Sequence, residues 1–230
     1  MLKDLAQFQK KINEILHQNS YHKVLEAGCG SSTHVNLVGN FHFTGIDISQ
    51  QQLDRNVNIQ EKILNDVQTY NFQDDTFDII ICWDVLEHLP FPEKALENFN
   101  KSLNKNGILI MAFPNFQSLK GLVTRFTPLW FHVWYYRTIL KYKEAGTCDF
   151  GPFETYLKKT MSPNNILKFA KINNLSVAYF ELLEYQLAKR LRSQNVILNV
   201  FYHFAGFIVS VISLGKVSPY KSDCLFVLKK

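Results

Sequence analysis

The sequence predicts an α/β fold in which a parallel sheet is covered on both faces by helices. Two observations carry this. Short apolar runs, as in residues 79–83 and 107–113, suit strands buried on both faces. Segments of helical periodicity alternate with them, which puts helices against the sheet. A third observation locates a site: the first two strands end in acids, and glycines follow the first at its carboxyl edge.

At 230 residues the chain suits one such domain with an elaboration. Hydrophobic content of 47% and charged content of 20% are those of a folded soluble protein. Aromatic content reaches 14%, so extra apolar surface must be buried somewhere. The net charge of +5 permits attraction to anionic lipid or a phosphate-bearing substrate but is too diffuse to argue for nucleic acid. Cys29, Cys82, Cys148 and Cys224 are scattered, with neither a CxxC pair nor a His at metal spacing. No metal site is expected, and a reduced, cytoplasmic compartment fits better than a disulfide framework. Residues 1–20 are polar and helix-patterned and do not read as a signal peptide.

Along the chain, Leu5, Phe8, Ile12, Ile15 and Leu16 recur at helical spacing and predict an amphipathic helix. Strands are expected over 23–27, 41–48, 58–64, 77–83, 107–113, 175–182 and 223–229. A helix over 92–104 carries Ala95, Leu96, Phe99 and Leu103 on one face and stops at Asn106-Gly107. Ser162-Pro163 opens another that runs through Asn173, since Ser caps a helix well and Pro suits its first turn. Between 114 and about 151 the rhythm breaks into an irregular, aromatic-rich stretch. Residues 196–215 are apolar enough to suggest a membrane span. Their polar or small residues, Asn199, His203, Gly206, Ser210 and Ser213, form one narrow helical stripe, with Lys189, Arg190 and Arg192 before and Lys216 after. Spanning would strand residues 223–229 across the membrane from their sheet. A helix buried in the protein, or one lying in a membrane interface, remains.

The run Glu26-Ala27-Gly28-Cys29-Gly30 is a nucleoside-type turn, but Thr33 stands where a dinucleotide site wants a third glycine, and no P-loop sequence exists. With Gly45-Ile46-Asp47-Ile48-Ser49, Asn65-Asp66-Val67, Phe77-Asp78-Ile79-Ile80, Leu86-Glu87-His88-Leu89 and Leu103-Asn104-Lys105-Asn106-Gly107-Ile108-Leu109 in order, residues 22 to about 115 resemble the class I S-adenosylmethionine-dependent methyltransferases. The resemblance implies a Rossmann-like, doubly wound, seven-stranded sheet, mostly parallel with an antiparallel last strand. It reads as a single domain over 1–230: an N-terminal helix (1–20), a cofactor-binding core (21–113), a cap insertion (114–160) and the rest of the sheet (161–230), with an apolar helical insertion at 190–220.

The resemblance also implies S-adenosylmethionine as cofactor. Gly28, Cys29 and Gly30 would let the backbone approach it. Glu26 would orient that loop, Asp47 would accept from the ribose hydroxyls, and Ile48 would face the adenine. Asn65, Asp66 and Val67 would bracket the adenine edge; Cys82, Trp83 and Asp84 would line the methionine portion. Taken singly, Asp47 also reads as a helix cap and Asp66 as a turn residue. His88, following the fourth strand, is the candidate general base; the bland alternative is a residue packing a helix end. In the cap, Arg125, His132, Tyr135, Tyr136 and Arg137 are candidate acceptor contacts, with Asp149 and Glu154 as further acid–base groups. An aromatic mini-core is the alternative use of those rings. The expected activity is methylation, on oxygen, of a small or lipid-linked acceptor of sugar, quinone or natural-product type. The alternative is a catalytically silent cofactor-binding partner subunit. No nucleic acid is expected, since Cys82-Trp83-Asp84-Val85 replaces the Asn/Asp-Pro-Pro-aromatic motif of base amino-group methylation.

Overall fold

The computed structural model describes residues 2–16, 21–147, 150–184, 189, 193–194 and 196–230. Seven strands form one sheet: β1 (Tyr21–Ala27), β2 (Asn40–Asp47), β3 (Glu61–Leu64), β4 (Phe77–Trp83), β5 (Leu103–Pro114), β6 (Ser176–Leu183) and β7 (Asp223–Lys229). Their order is β3-β2-β1-β4-β5-β7-β6. The first five pair in parallel, and β7 inserts antiparallel between β5 and β6. The helices are α1 (Leu2–Ile15), α2 (Gln50–Arg55), α3 (Pro92–Ser102), α4 (Leu119–Phe126), α5 (Leu129–Thr138), α6 (Pro163–Ile172) and α7 (Val196–Ile212).

Alternation along each strand feeds two cores. On β4, Ile80 and Cys82 join Leu96 and Phe99 of α3 and Ile166 and Ala170 of α6. Ile79 and Ile81 face the other way and pack with Phe8 and Ile12 of α1. The continuous apolar runs follow from this, since both faces of the central strands are buried.

Three expectations need correction. The helix expected to reach residue 104 ends at Ser102, and Leu103 and Asn104 already belong to β5. The turn residue there is Asn106, at φ 64°, while Gly107 is needed for space: a Cβ would lie 2.8 Å from the Asn104 carbonyl and 3.0 Å from that of Asp78. The third strand starts at Glu61 rather than 58. The stretch after Pro114 is not irregular, because α4 and α5 occupy much of it. Ser118 caps α4 by accepting from the Gly121 N–H at 2.9 Å. Helix α5 is apolar and aromatic on all sides, so it carries no periodic signal.

Candidate active site

A cavity of about 1560 Å³ opens at the carboxyl ends of β1, β2 and β4. Chain order reverses there, with β2 on one side of β1 and β4 on the other, which is where parallel sheets leave a crevice. The glycine turn forms its floor. Gly28 and Gly30 lie at φ 65° and 51°, and the N–H groups of Gly28 and Cys29 both donate to the Ile46 carbonyl, at 2.8 and 3.2 Å. A Cβ on Gly28 would sit 2.3 Å from Val85 Cγ2, so both conformation and space demand glycine there. Gly30 instead faces open space, with only Gln52 Oε1, at 3.9 Å, near a Cβ built there.

Asp47 holds this floor to the next element. Its Oδ2 accepts from the Gly30 N–H and its Oδ1 from the Ser49 N–H, both at 2.9 Å. The cap of α2 is Ser49, whose hydroxyl accepts from Gln52 N–H. Ile48 stands 78% exposed on the cavity wall beside Asp47. Asn65, Asp66 and Val67 also line the cavity. Asp66 closes a local turn, accepting from the Gln68 backbone at 2.8 Å and from its side chain at 3.0 and 2.9 Å.

Other expected residues stand back from the wall. Glu26 is buried, accepts from the His34 N–H at 3.0 Å, and leaves Oε2 without a partner. Cys29 packs with Leu53 and Ile59. Cys82 lies in the core against α3. Burial pushes the Cys29 thiol up to about 12 and raises that of Cys82. Trp83 does line the cavity and stacks on His34 with ring centroids 6.3 Å apart.

His88 faces the cavity from a short turn of helix after β4. Its Nδ1 lies 2.6 Å from the Glu154 carbonyl. A carbonyl only accepts, so Nδ1 carries the proton and Nε2 keeps a lone pair. Burial holds this imidazole below its ordinary value. Glu154 thus enters through its backbone, and Asp149 lies outside the described residues. Of the cap residues, His132, Tyr135 and Tyr136 line the cavity. Arg125 and Arg137 do not: the Arg125 guanidinium stacks over Phe116 and Phe126 at 4.4 and 4.7 Å, and Arg137 Nε donates to the Ala145 carbonyl at 2.8 Å.

Sequence reasoning missed two contributors, Glu87 and Lys120. Glu87 is buried on the cavity wall with Oε2 unpartnered; desolvation and the neighbouring Asp84 charge raise its pKa well above the carboxylate range. Asp84, expected beside the methionine portion, does line the cavity, at φ 53°, and desolvation raises its pKa. Lys120 comes from α4 to meet Asp223 of β7 at 2.6 Å, bringing together residues far apart in sequence. The motif around His88 could have flagged Glu87. Nothing local could have flagged Lys120.

Comparison with known proteins accords with this geometry. Residues 2–144 match a family model described as a methyltransferase domain. An uncharacterized protein of Methanocaldococcus jannaschii is 36% identical over 96 residues, which is 42% of this chain and 42% of that protein. The chain therefore matches less than half the length of that relative. A ubiquinone biosynthesis O-methyltransferase of Rickettsia bellii is 22% identical over 218 residues, covering 88% of this chain and 83% of the relative. The solved structure of an S-adenosylmethionine-dependent methyltransferase from Archaeoglobus fulgidus superposes with a TM-score of 0.54 at 15% identity, over 100% of this chain and 95% of that one. By its matched residues, sheet order and glycine-turn site, the chain belongs to the class I S-adenosylmethionine-dependent methyltransferases.

Proposed function

We propose that this protein transfers the methyl group of S-adenosylmethionine to an oxygen of a small or lipid-linked, partly apolar acceptor. The observation that carries the reading is the single cavity running from the glycine turn and Asp47 past His88 to the tyrosines of the cap. At about 1560 Å³ it exceeds the roughly 300–1,000 Å³ usual for one small-molecule ligand, leaving room for donor and acceptor together. The O-methyltransferase name of the rickettsial relative agrees with transfer to oxygen.

The residues present suit the donor. The Asp47 carboxylate has about four acceptor positions and spends two on Gly30 and Ser49, which leaves two for a ribose diol. Exposed Ile48 offers an apolar face for the adenine, with Asn65, Asp66 and Val67 at its edge. The open face of Gly30 admits close backbone approach. Glu26 acts at one remove, holding the His34 loop against Trp83. Cys29 and Cys82 contribute through their backbone and by packing. S-adenosylmethionine, when bound, supplies an electrophilic methyl on a sulfonium.

The chain's own work is then alignment, water exclusion and proton removal. His88, neutral and with its Nε2 lone pair available, takes the proton of an acceptor hydroxyl. Tyr135, Tyr136 and His132 frame the acceptor. Arg125 and Arg137, engaged elsewhere, support the cap.

Calorimetric titration tests the donor assignment: S-adenosylmethionine binds, a nicotinamide dinucleotide does not, and equal binding of both would remove the reading. With labelled donor and a panel of hydroxyl-bearing prenyl phenols and glycolipids, His88→Ala lowers kcat about 10²-fold or more while donor affinity stays unchanged. An unaltered kcat would remove His88 as base.

A further inference from the structure

Helix α7 is built inside out. Of the small and polar stripe, Asn199, Gly206, Ser210 and Ser213 are turned toward the protein, where Gly206 packs so closely that a Cβ would lie 2.9 Å from Pro219, while His203 stays exposed at the edge beside the Tyr220 hydroxyl. Tyr202, on the same inner side, donates to the Pro219 carbonyl at 2.6 Å and reaches the cavity wall. The opposite half of the helix is apolar and bare. Phe201, Phe204 and Phe207 are 67%, 63% and 67% exposed, and Val196, Ile197, Val200, Val211 and Ile212 more than half. Single exposed apolar residues are ordinary, but an unbroken half-cylinder of them marks an interaction surface.

Charge says what the surface meets. Residues 185–222 hold Lys189, Arg190, Arg192, Lys216 and Lys221 and no acidic residue. Residues 116–143 of the cap likewise hold five basic residues and no acid. These two segments carry ten of the 25 Lys and Arg and none of the 20 Asp and Glu, so the rest of the chain is net acidic. In the cap, Phe126 and Trp130 are 74% and 70% exposed. Apolar faces with Trp and Phe, in segments whose only charged residues are basic, complement an anionic bilayer surface. A second copy docked face to face would set two such basic segments against each other, which disfavours self-association. No described helix is long and apolar enough to cross a membrane, and α7, at 17 residues and about 25 Å, leads back to β7 in the sheet.

We propose that the protein docks on anionic membranes through the outward face of α7, assisted by the exposed aromatics and cations of the cap. Tyr202 on the reverse of α7 lines the cavity, so docking would present the cavity wall to the bilayer from which an apolar acceptor comes. That last step rests on the acceptor reading above; docking itself does not.

The test is co-sedimentation of the full chain with vesicles, without acceptor. The chain pellets with mixed phosphatidylcholine and phosphatidylglycerol, and about tenfold or more weakly with phosphatidylcholine alone or in high salt. Phe204→Ser with Phe207→Ser weakens vesicle binding about 10²-fold and leaves calorimetric affinity for S-adenosylmethionine unchanged, which shows that the fold is intact. Lys216→Glu weakens binding to the anionic vesicles about tenfold. The proposal is overturned if the chain stays in the supernatant with both vesicles, or if the paired Phe substitutions leave binding unaltered. A stable dimer in size-exclusion chromatography that those substitutions dissolve, with no vesicle binding, would make the face a self-interface instead.

Discussion

The carboxyl edge of β1, β2 and β4 and the helical elaboration beyond Phe113 share one cavity, but they are constructed differently. At the sheet edge each side chain answers to its own neighbours: Gly28 to Val85, and Asp47 to the Gly30 and Ser49 N–H groups. In the elaboration, α5 has no buried residue and α7 turns Phe201, Phe204 and Phe207 outward. The first region is held by core packing and hydrogen bonds that tolerate little change. The second carries much of its apolar surface outside the core. On the function proposed above, donor binding sits in the first and acceptor choice in the second.

Substitutions should separate the two regions sharply. The largest stability loss is expected in the core, at Phe226, fully buried and stacked 4.3 Å from Phe180 and 6.0 Å from Phe113. Phe226→Ala should cost about 3–5 kcal/mol in denaturant unfolding. Next comes Gly28→Ala, where a left-handed φ and the approach to Val85 together should cost about 3 kcal/mol and break donor binding. Retained affinity at that position would mean the turn is less constrained than its geometry implies. Asp47→Ala should weaken S-adenosylmethionine binding about 10²-fold or more by calorimetry, since it removes charge-assisted contacts and the tie to Gly30.

The smallest stability effect is expected on α7. Phe201→Ser, at a side chain 67% exposed, should shift unfolding by no more than about 0.5 kcal/mol. A loss comparable to that at Phe226 would erase the contrast between the regions.

The pH dependence adds a finer test. Burial lowers the His88 pKa, so the neutral form is favoured in the folded protein. As a base it is competent above that lowered value, and kcat should fall as pH drops through it, below about 6.5. The sign for stability agrees: the folded state binds fewer protons at His88 than the unfolded chain, so this contribution is present above the unfolded pKa and lost on acidification. His88→Ala should flatten that limb of the rate profile. Glu87 works oppositely. Its raised pKa favours the folded state at low pH and costs stability as pH rises through the folded value. Glu87→Gln should therefore raise Tm relative to the native chain at alkaline pH more than at acid pH.

The sheet edge was legible because its signals are local. The φ > 0 turn needs glycine, an acid at a strand end reports a site, and β4 and β7 are bounded where their apolar runs begin and end. The misreading at Leu103 has a physical source: an apolar residue four after Phe99 continues a helical stripe as readily as it starts a strand, and pairing with Phe77 decided it. The cap was illegible because α5 is apolar all round, so periodicity carries no direction.

By itself, then, the amino-acid sequence determined the sheet, the glycine turn and the acids at the strand ends, since local backbone demands and buried strands leave direct marks on residue choice. Only the tertiary structure decided which candidates meet. It set Cys29, Cys82, Arg125 and Arg137 back from the cavity, brought Lys120 to Asp223, fixed the tautomer of His88 through Glu154, and turned the polar stripe of α7 inward except at His203. A helical stripe records that two faces differ. Which face meets protein and which is left bare depends on the packing of distant segments, and no local pattern encodes it.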